Sequence, residues 1–252
     1  MGFYDLSKEE RKELVLKIEK SIKNYLEANE DKKILNYASD DDFYIRKNTY
    51  LILGRIYREN EDLRKYILKV AENLLKNENE NVRQTAVYIF GEIGKNDADS
   101  SLKHLEIALN DEHHVVKNAV MGALKQMGQK NPEPTLEFAK KFLHNEDPEV
   151  RRILVHGIEL RGRTHPQDIL PLLEEMQDEK NRKVRKMVIH VLSQISYKKG
   201  CLETVISSLK KWENKKLVND ALIEIIAVHK RYKFAEKSPK EAEEYIKQKI
   251  YS

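Results

Sequence analysis

The stretch Asp147-Pro148-Glu149-Val150-Arg151-Arg152-Ile153-Leu154-Val155-His156-Gly157-Ile158-Glu159-Leu160-Arg161-Gly162 decides the fold. With Val150 as anchor, Val150, Leu154 and Ile158 fall four residues apart, on one helix face. Asp147 and Pro148 mark a start, because a carboxylate accepts from first-turn amides and proline fits the first helical position. Gly162 marks the expected stop, since glycine tolerates a left-handed exit. The phrase recurs along the chain. Anchors sit at Ile45, Val82, Val116, Val150, Val184 and, weakly, Leu217, spaced by 37, 34, 34, 34 and 33 residues. Four residues on stand Thr49, Ala86, Val120, Leu154, Val188 and Ala221; eight on stand Leu53, Phe90, Leu124, Ile158, Leu192 and Ile225. Gly94, Gly128 and Gly162 share one register, and Arg46, Arg83, Lys117, Arg151 and Arg185 directly follow the first five anchors. Such a period is the signature of stacked helical repeats. The expected fold is an all-α, right-handed α-solenoid of about six two-helix repeats. It is read as a single domain over residues 1–252, with capping helices at 1–39 and 234–252 and repeats between them at 40–233.

Composition agrees. Nine glycines and six prolines in 252 residues, with 35% charged residues, suit long exposed helices, and a repeat array needs no single large core. One cysteine, Cys201, excludes an internal disulfide and fits a reducing compartment. No apolar run approaches the length that spans a membrane, and residues 1–7 lack the layout of a signal peptide. A cytoplasmic monomer is expected.

Ser7-Lys8-Glu9-Glu10 is a capping box that opens a helix to about residue 28, with Leu14, Ile18, Ile22 and Leu26 as its apolar stripe. A short helix follows near 31–38. First helices of the repeats are expected near 63–75, 101–109, 135–143, 167–176 and 202–212. Second helices are expected at 44–58, 82–95, 116–130, 150–163, 184–199 and 217–233. Ser238-Pro239-Lys240-Glu241 is another capping box and opens the closing helix, to residue 250.

The Asp/Asn-x-x-Val-Arg opening of the second helices resembles HEAT repeats over residues 42–227. The tetratricopeptide pattern is absent, since the chain has one Trp and it does not repeat. The resemblance implies that the second helices line a concave face. Those six segments hold 20 Lys and Arg against four acids, Glu92, Glu159, Asp220 and Glu224, a net of +16. The whole chain carries +4, so the remainder carries −12. A segregated basic surface is the electrostatic footprint of phosphate-backbone binding.

Two roles stay open for the arginines after the anchors. In HEAT arrays they pair with acids of neighbouring repeats, and this structural ladder is the expectation for Arg83, Arg151 and Arg185. Helical geometry places the second, sixth, ninth or tenth, and thirteenth positions after each anchor on the outward face. This gives the candidate nucleic-acid contacts Lys47, Arg58, Tyr88, Lys95, Arg152, His156, Arg163, Lys186 and His190, with Lys198 in the turn 197–200. Tyr197 falls in the same outward row. Tyr88, His156 and His190 form a file suited to stacking and hydrogen bonding. The turns at 161–166 and 197–200 either grip phosphates or simply end helices. Glu159 and Glu92 are the candidate catalytic carboxylates, able to stabilise a developing cation or position a water. The alternative for Glu159 is a salt bridge to Arg163 four residues on.

Several chemistries are excluded by pattern. There is no Cys pair and no His-Glu-x-x-His, so no metal or cofactor is expected. The segment 91–95 has its glycines too close for a phosphate-binding loop, and no Gly-x-Ser-x-Gly occurs.

Residues 150–212, with Val150-Arg151-Arg152, Leu160-Arg161-Gly162-Arg163, Ile169-Leu170-Pro171-Leu172-Leu173-Glu174, Val184-Arg185-Lys186-Met187-Val188 and Leu209-Lys210-Lys211-Trp212, resemble bacterial AlkC/AlkD-type DNA alkylation repair glycosylases. That resemblance implies a HEAT-like solenoid that holds alkylated duplex DNA on a basic concave face and removes the damaged base. The tryptophans that the family sets beside an aspartate have no counterpart, because Trp212 is alone. Three readings follow: a DNA-binding solenoid that excises bases through Glu159 or Glu92, a non-catalytic nucleic-acid binder, and a scaffold for an acidic protein segment.

Overall fold

The computed structural model of the chain describes residues 2–250. They divide between two compact units, Met1–Asn131 and Pro132–Ser252. Both are all-helical, with no strand among the described residues, and no helix is long and apolar enough to cross a membrane.

The first unit opens with a 3₁₀ turn at Phe3–Asp5. It continues with α1 (Lys8–Glu27), α2 (Asp31–Ala38), α3 (Phe43–Glu59), α4 (Glu61–Leu75), α5 (Glu80–Gly94), α6 (Asp99–Leu109) and α7 (His114–Lys130). The second helices α3, α5 and α7 lie side by side, α4 and α6 pack over them, and α1 closes the end against α3. The second unit holds α8 (Pro132–Phe142), α9 (Pro148–Gly157), α10 (Glu159–Gly162), α11 (Pro166–Glu175), α12 (Arg182–Gln194), α13 (Cys201–Leu209), α14 (Lys215–Arg231) and α15 (Pro239–Ile250). Here α9, α12 and α14 form the row, α11 and α13 lie behind it, and α15 covers α13 and α14.

The 34-residue register is a burial register. Val82, Val116, Val150, Val184 and Leu217 are buried, as are all twelve residues four and eight positions after the anchors. Each large aliphatic side chain so buried contributes about 1.5–3 kcal/mol over exposure. Three residues before each anchor stands the cap. Side chains of Asp42, Asn79, His113, Asp147, Asn181 and Asn214 each accept a first-turn amide, satisfying a donor that no helical carbonyl reaches. Both capping boxes form: Ser7 with Glu10, and Ser238 with Glu241.

The arginine ladder is structural where Arg83 and Arg151 stand. Arg83 Nε and Nη2 donate to Asp111 at 2.7 and 3.0 Å, and Arg151 donates to Glu179 at 2.7 and 2.9 Å. Both partners lie 28 residues ahead, in the loop before the next second helix. Nη1 of each arginine turns back to two carbonyls of the loop before its own helix: Asn77 and Glu78, or Asn145 and Glu146. Arg46 makes the same backward bonds to Asp40 and Asp41.

Three expectations change. The glycines do not provide left-handed exits; among the described residues only Asn29 and Gly200 have positive φ. Gly128 lies inside α7, and Gly94 and Gly162 allow close packing: a Cβ on Gly94 would strike Met127, and one on Gly162 would strike Ile169. The segment 150–163 is not one helix, because α9 ends at Gly157 and α10 restarts at Glu159 after Ile158. Tyr197 is buried rather than outward, since α12 ends at Gln194 and the Tyr197 ring packs edge-on against Tyr232 and Phe234, at 5.1 and 5.6 Å.

Candidate functional site

In the second unit the repeat register brings His156 and His190, 34 residues apart, onto the same carboxylate. His156 sits in the last turn of α9, Glu159 opens α10, and His190 projects from α12. His156 Nε2 lies 3.0 Å and His190 Nε2 3.6 Å from Glu159 Oε2. Arg163 Nη2 bonds the other oxygen, Oε1, at 2.5 Å, and also donates to Gln194 Oε1 at 3.2 Å. Tyr232 Oη donates to that same Gln194 oxygen at 3.0 Å. Glu159 is only 1% exposed, whereas His156 and His190 reach solvent. The ninth position after the anchor is an inward one: Gly54, Gly91 and Ser193, at the same position of the unbroken helices α3, α5 and α12, are buried as well. A buried carboxylate is costly unless paired and hydrogen-bonded, and Arg163 supplies that pairing.

The first unit has a pocket of about 300 Å³ lined by Lys47, Tyr50, Tyr88, Glu92, Lys95, Gly122 and Gln126, among others. Lys95 Nζ is 2.6 Å from Glu92 Oε1. Tyr50 and Tyr88 pack at 4.9 Å between ring centroids. Burial pushes both phenols above their ordinary range, and for Tyr50 the neighbouring Tyr88 phenol and Glu92 carboxylate add to it, so both stay protonated at neutral pH. The pocket therefore offers hydroxyl donors, one paired carboxylate and two ammonium groups.

Comparison with known proteins bears on what carries these sites. The family profile for HEAT repeats matches residues 32–125 and 135–226, well over half of the chain. The chain belongs to the HEAT-repeat family. AlkD2 from Streptococcus mutans is similar at 21% identity, with 85% of this chain and 99% of that one covered and a TM-score of 0.57. The protein smu.31 from Streptococcus mutans UA159 is similar at 21% identity, over 83% and 96% of the two chains, with a TM-score of 0.50. Both likenesses are of fold. A search among curated proteins finds no match.

Within these HEAT repeats the candidate residues separate into clustered and dispersed. Lys47, Tyr88, Glu92 and Lys95 share the first pocket, and His156, Glu159, Arg163 and His190 share the second cluster. Arg152 is held by Glu149 at 2.6 and 2.8 Å. Arg58 is exposed, 3.5 Å from Glu59. Lys186 and Lys198 are exposed, on α12 and in the turn after it. That turn is pinned by the Gly200 amide donating to Glu236, and Arg161 in the other basic turn pairs with Asp168. Gln194 and Tyr232 were not singled out in the sequence; Gln194 follows His190 by four residues on one face of α12, a spacing that points to it.

The +16 counted along the second helices overstates their field. Arg83, Arg151, Arg152, Arg55 and Arg161 are each neutralised by an acid outside those segments, and Lys95 and Arg163 by one inside them. The strongest remaining concentration is α12, which carries Arg182, Lys183, Arg185 and Lys186 and no acid. Three of these four are exposed.

Proposed function

We propose that this HEAT-repeat protein binds duplex DNA through the exposed cations of its second helices. The observation that carries the reading is α12. A helix favours acids in its first turn, because the backbone dipole is positive there, and cations in the first turn are unfavourable by about 0.3–1 kcal/mol each. Arg182 and Lys183 in that turn, with Lys186 behind them, make a surface that a phosphate backbone would neutralise. The resemblance of residues 150–212 to alkylation-repair glycosylases supports duplex DNA over an acidic protein segment as the polyanion. Base excision, which that resemblance implies, falls to Glu159, a buried carboxylate next to two solvent-reaching histidines.

The test is fluorescence anisotropy of a labelled duplex across salt concentrations. The expected slope of log K against log salt falls by about 0.9 for each phosphate contact removed. The variant Arg182→Gln, Lys183→Gln, Lys186→Gln removes exposed charges of α12, keeps the folded core and should flatten that slope by up to about 2.7. Binding indifferent to salt, or unchanged in the triple variant, would transfer the function to a protein partner. An acidic peptide that binds more tightly than duplex would decide in favour of the scaffold.

A further inference from the structure

We propose that His156, Glu159 and His190 form a mononuclear site for a divalent transition metal of the zinc class. One ligand atom from each residue, two imidazole nitrogens and a carboxylate oxygen, lies within 4.8 Å of the others. An ion with bonds of about 2.1 Å in tetrahedral geometry holds its ligands about 3.4 Å apart. The two nitrogen–oxygen separations, 3.0 and 3.6 Å, bracket that edge. The imidazole nitrogens lie within 4.8 Å of each other, so an ion needs His190 to close toward His156 by up to about 1.4 Å. The donor set, two histidines and one carboxylate, is the kind that binds zinc while leaving positions open for water or a reacting group.

The surroundings orient the carboxylate. Arg163 bonds Oε1, which leaves Oε2 facing both imidazoles. Gln194, itself 1% exposed, receives Arg163 and Tyr232 on one oxygen and so fixes the guanidinium. Supporting bonds of this type set the direction of a ligand before an ion arrives. The buried carboxylate and the partly exposed histidines place the open coordination positions on the solvent side. A sequence search for adjacent ligands misses the site, because His156 and Glu159 are three apart across the step from α9 to α10 and the third ligand comes one repeat later.

The site is independent of DNA binding and is tested without nucleic acid. Chelator-stripped protein is titrated with Zn²⁺ by calorimetry, and one ion per chain is expected. His190→Ala, a change at a half-exposed side chain, should weaken binding by more than about 100-fold, beyond the 10–100-fold that loss of a supporting residue costs. Glu159→Gln should also remove binding, with circular dichroism confirming that both variants stay helical. The double change His113→Ala, His114→Ala removes two histidines stacked elsewhere and should leave affinity unchanged. Co²⁺ in place of Zn²⁺ should give visible absorption that His190→Ala abolishes. Failure of the wild type to bind Zn²⁺, or equal affinity in His190→Ala, overturns the proposal.

Discussion

Gly91 of α5 and Ala123 of α7 meet so closely that a Cβ on Gly91 would stand 2.7 Å from the Ala123 Cβ and 3.1 Å from its Cα. Neither obstacle can swing aside, because one is backbone and the other is fixed to it. Gly91→Ala gains about 1 kcal/mol of helix propensity but pays an overpacking cost of about 1–3 kcal/mol. The expected result is a loss of stability in urea denaturation, largely restored by adding Ala123→Gly. A more stable Gly91→Ala would show that the two helices can part without cost.

Gly200 serves a different need. Its φ is +73° and a Cβ there would meet nothing within 4 Å. Gly200→Ala should therefore cost about 1 kcal/mol through the backbone alone, and Gly200→Asn less, since Asn visits that region more readily. An equal loss for both variants, by thermal melting, would point to packing instead.

The arginine ladder gives the fold an acid limb. Burial pushes Asp111 up, but the hydrogen bonds from Arg83 and the His113 amide outweigh it and hold the carboxyl below its ordinary range. The bond from Arg151 does the same for Glu179, against burial and with help from the Asn181 amide. A carboxyl depressed in the folded state stabilises fully above its unfolded pKa, about 4, and loses that contribution as pH falls through the folded value. Asp111→Asn and Glu179→Gln should each lower stability at neutral pH, by about 3 kcal/mol if the pairs behave as buried ones. Each should also make the decline below about pH 4 shallower. An acid limb as steep as that of the wild type would assign it to other groups.

His104 adds a limb at higher pH. Its ring lies on Phe90 with centroids 4.0 Å apart and planes 9° from parallel, and Nε2 is 3.0 Å from Glu72. Burial lowers its pKa, and the bond to Glu72 only partly opposes this. The unfolded chain then takes up the proton first as pH falls. Stability is complete above the unfolded value near 6.5, declines below it, and levels off under the folded pKa. Urea midpoints of His104→Gln should lose that decline, and a decline that persists would belong to another histidine.

The sequence disclosed what repeats and concealed what bends. Anchors, four- and eight-residue followers and caps recur because each repeat buries the same positions, so one register predicts the core of both units. The ladder partners were hidden because they lie in loops, although the 28-residue step from Arg83 to Asp111 recurs from Arg151 to Glu179. The roles of Gly94 and Gly162 were misread because close packing and a left-handed exit both select glycine. Glu159 and Tyr197 are expected outward; the ninth position instead faces inward, as at Gly54, Gly91 and Ser193, and α12 ends at Gln194 before Tyr197 is reached. The pairing of His156 with His190 and the three-residue step from His156 to Glu159 were both visible in the register; the burial of Glu159 was not.

The burial of Glu159 sets the terms for testing the proposed base excision. A cationic alkylated base leaves as a neutral molecule, so the demand on the protein is a carboxylate near the sugar while positive charge develops there. Glu159 is bonded to Arg163 and is 1% exposed, so a flipped nucleotide would approach it past His156 and His190, which reach solvent. Glu92, paired with Lys95 in the first-unit pocket, is the internal comparison. Release of 7-methylguanine or 3-methyladenine from methylated duplex is measured for wild type, Glu159→Gln and Glu92→Gln, each with and without Zn²⁺. Excision through Glu159 predicts release by wild type, loss in Glu159→Gln at unchanged duplex affinity, and little change in Glu92→Gln. Zn²⁺ should suppress the release, because an ion on Oε2 would occupy the oxygen that the sugar requires. No release by wild type above a buffer control would leave duplex binding as the activity and Glu159 as the partner of Arg163 and the histidines.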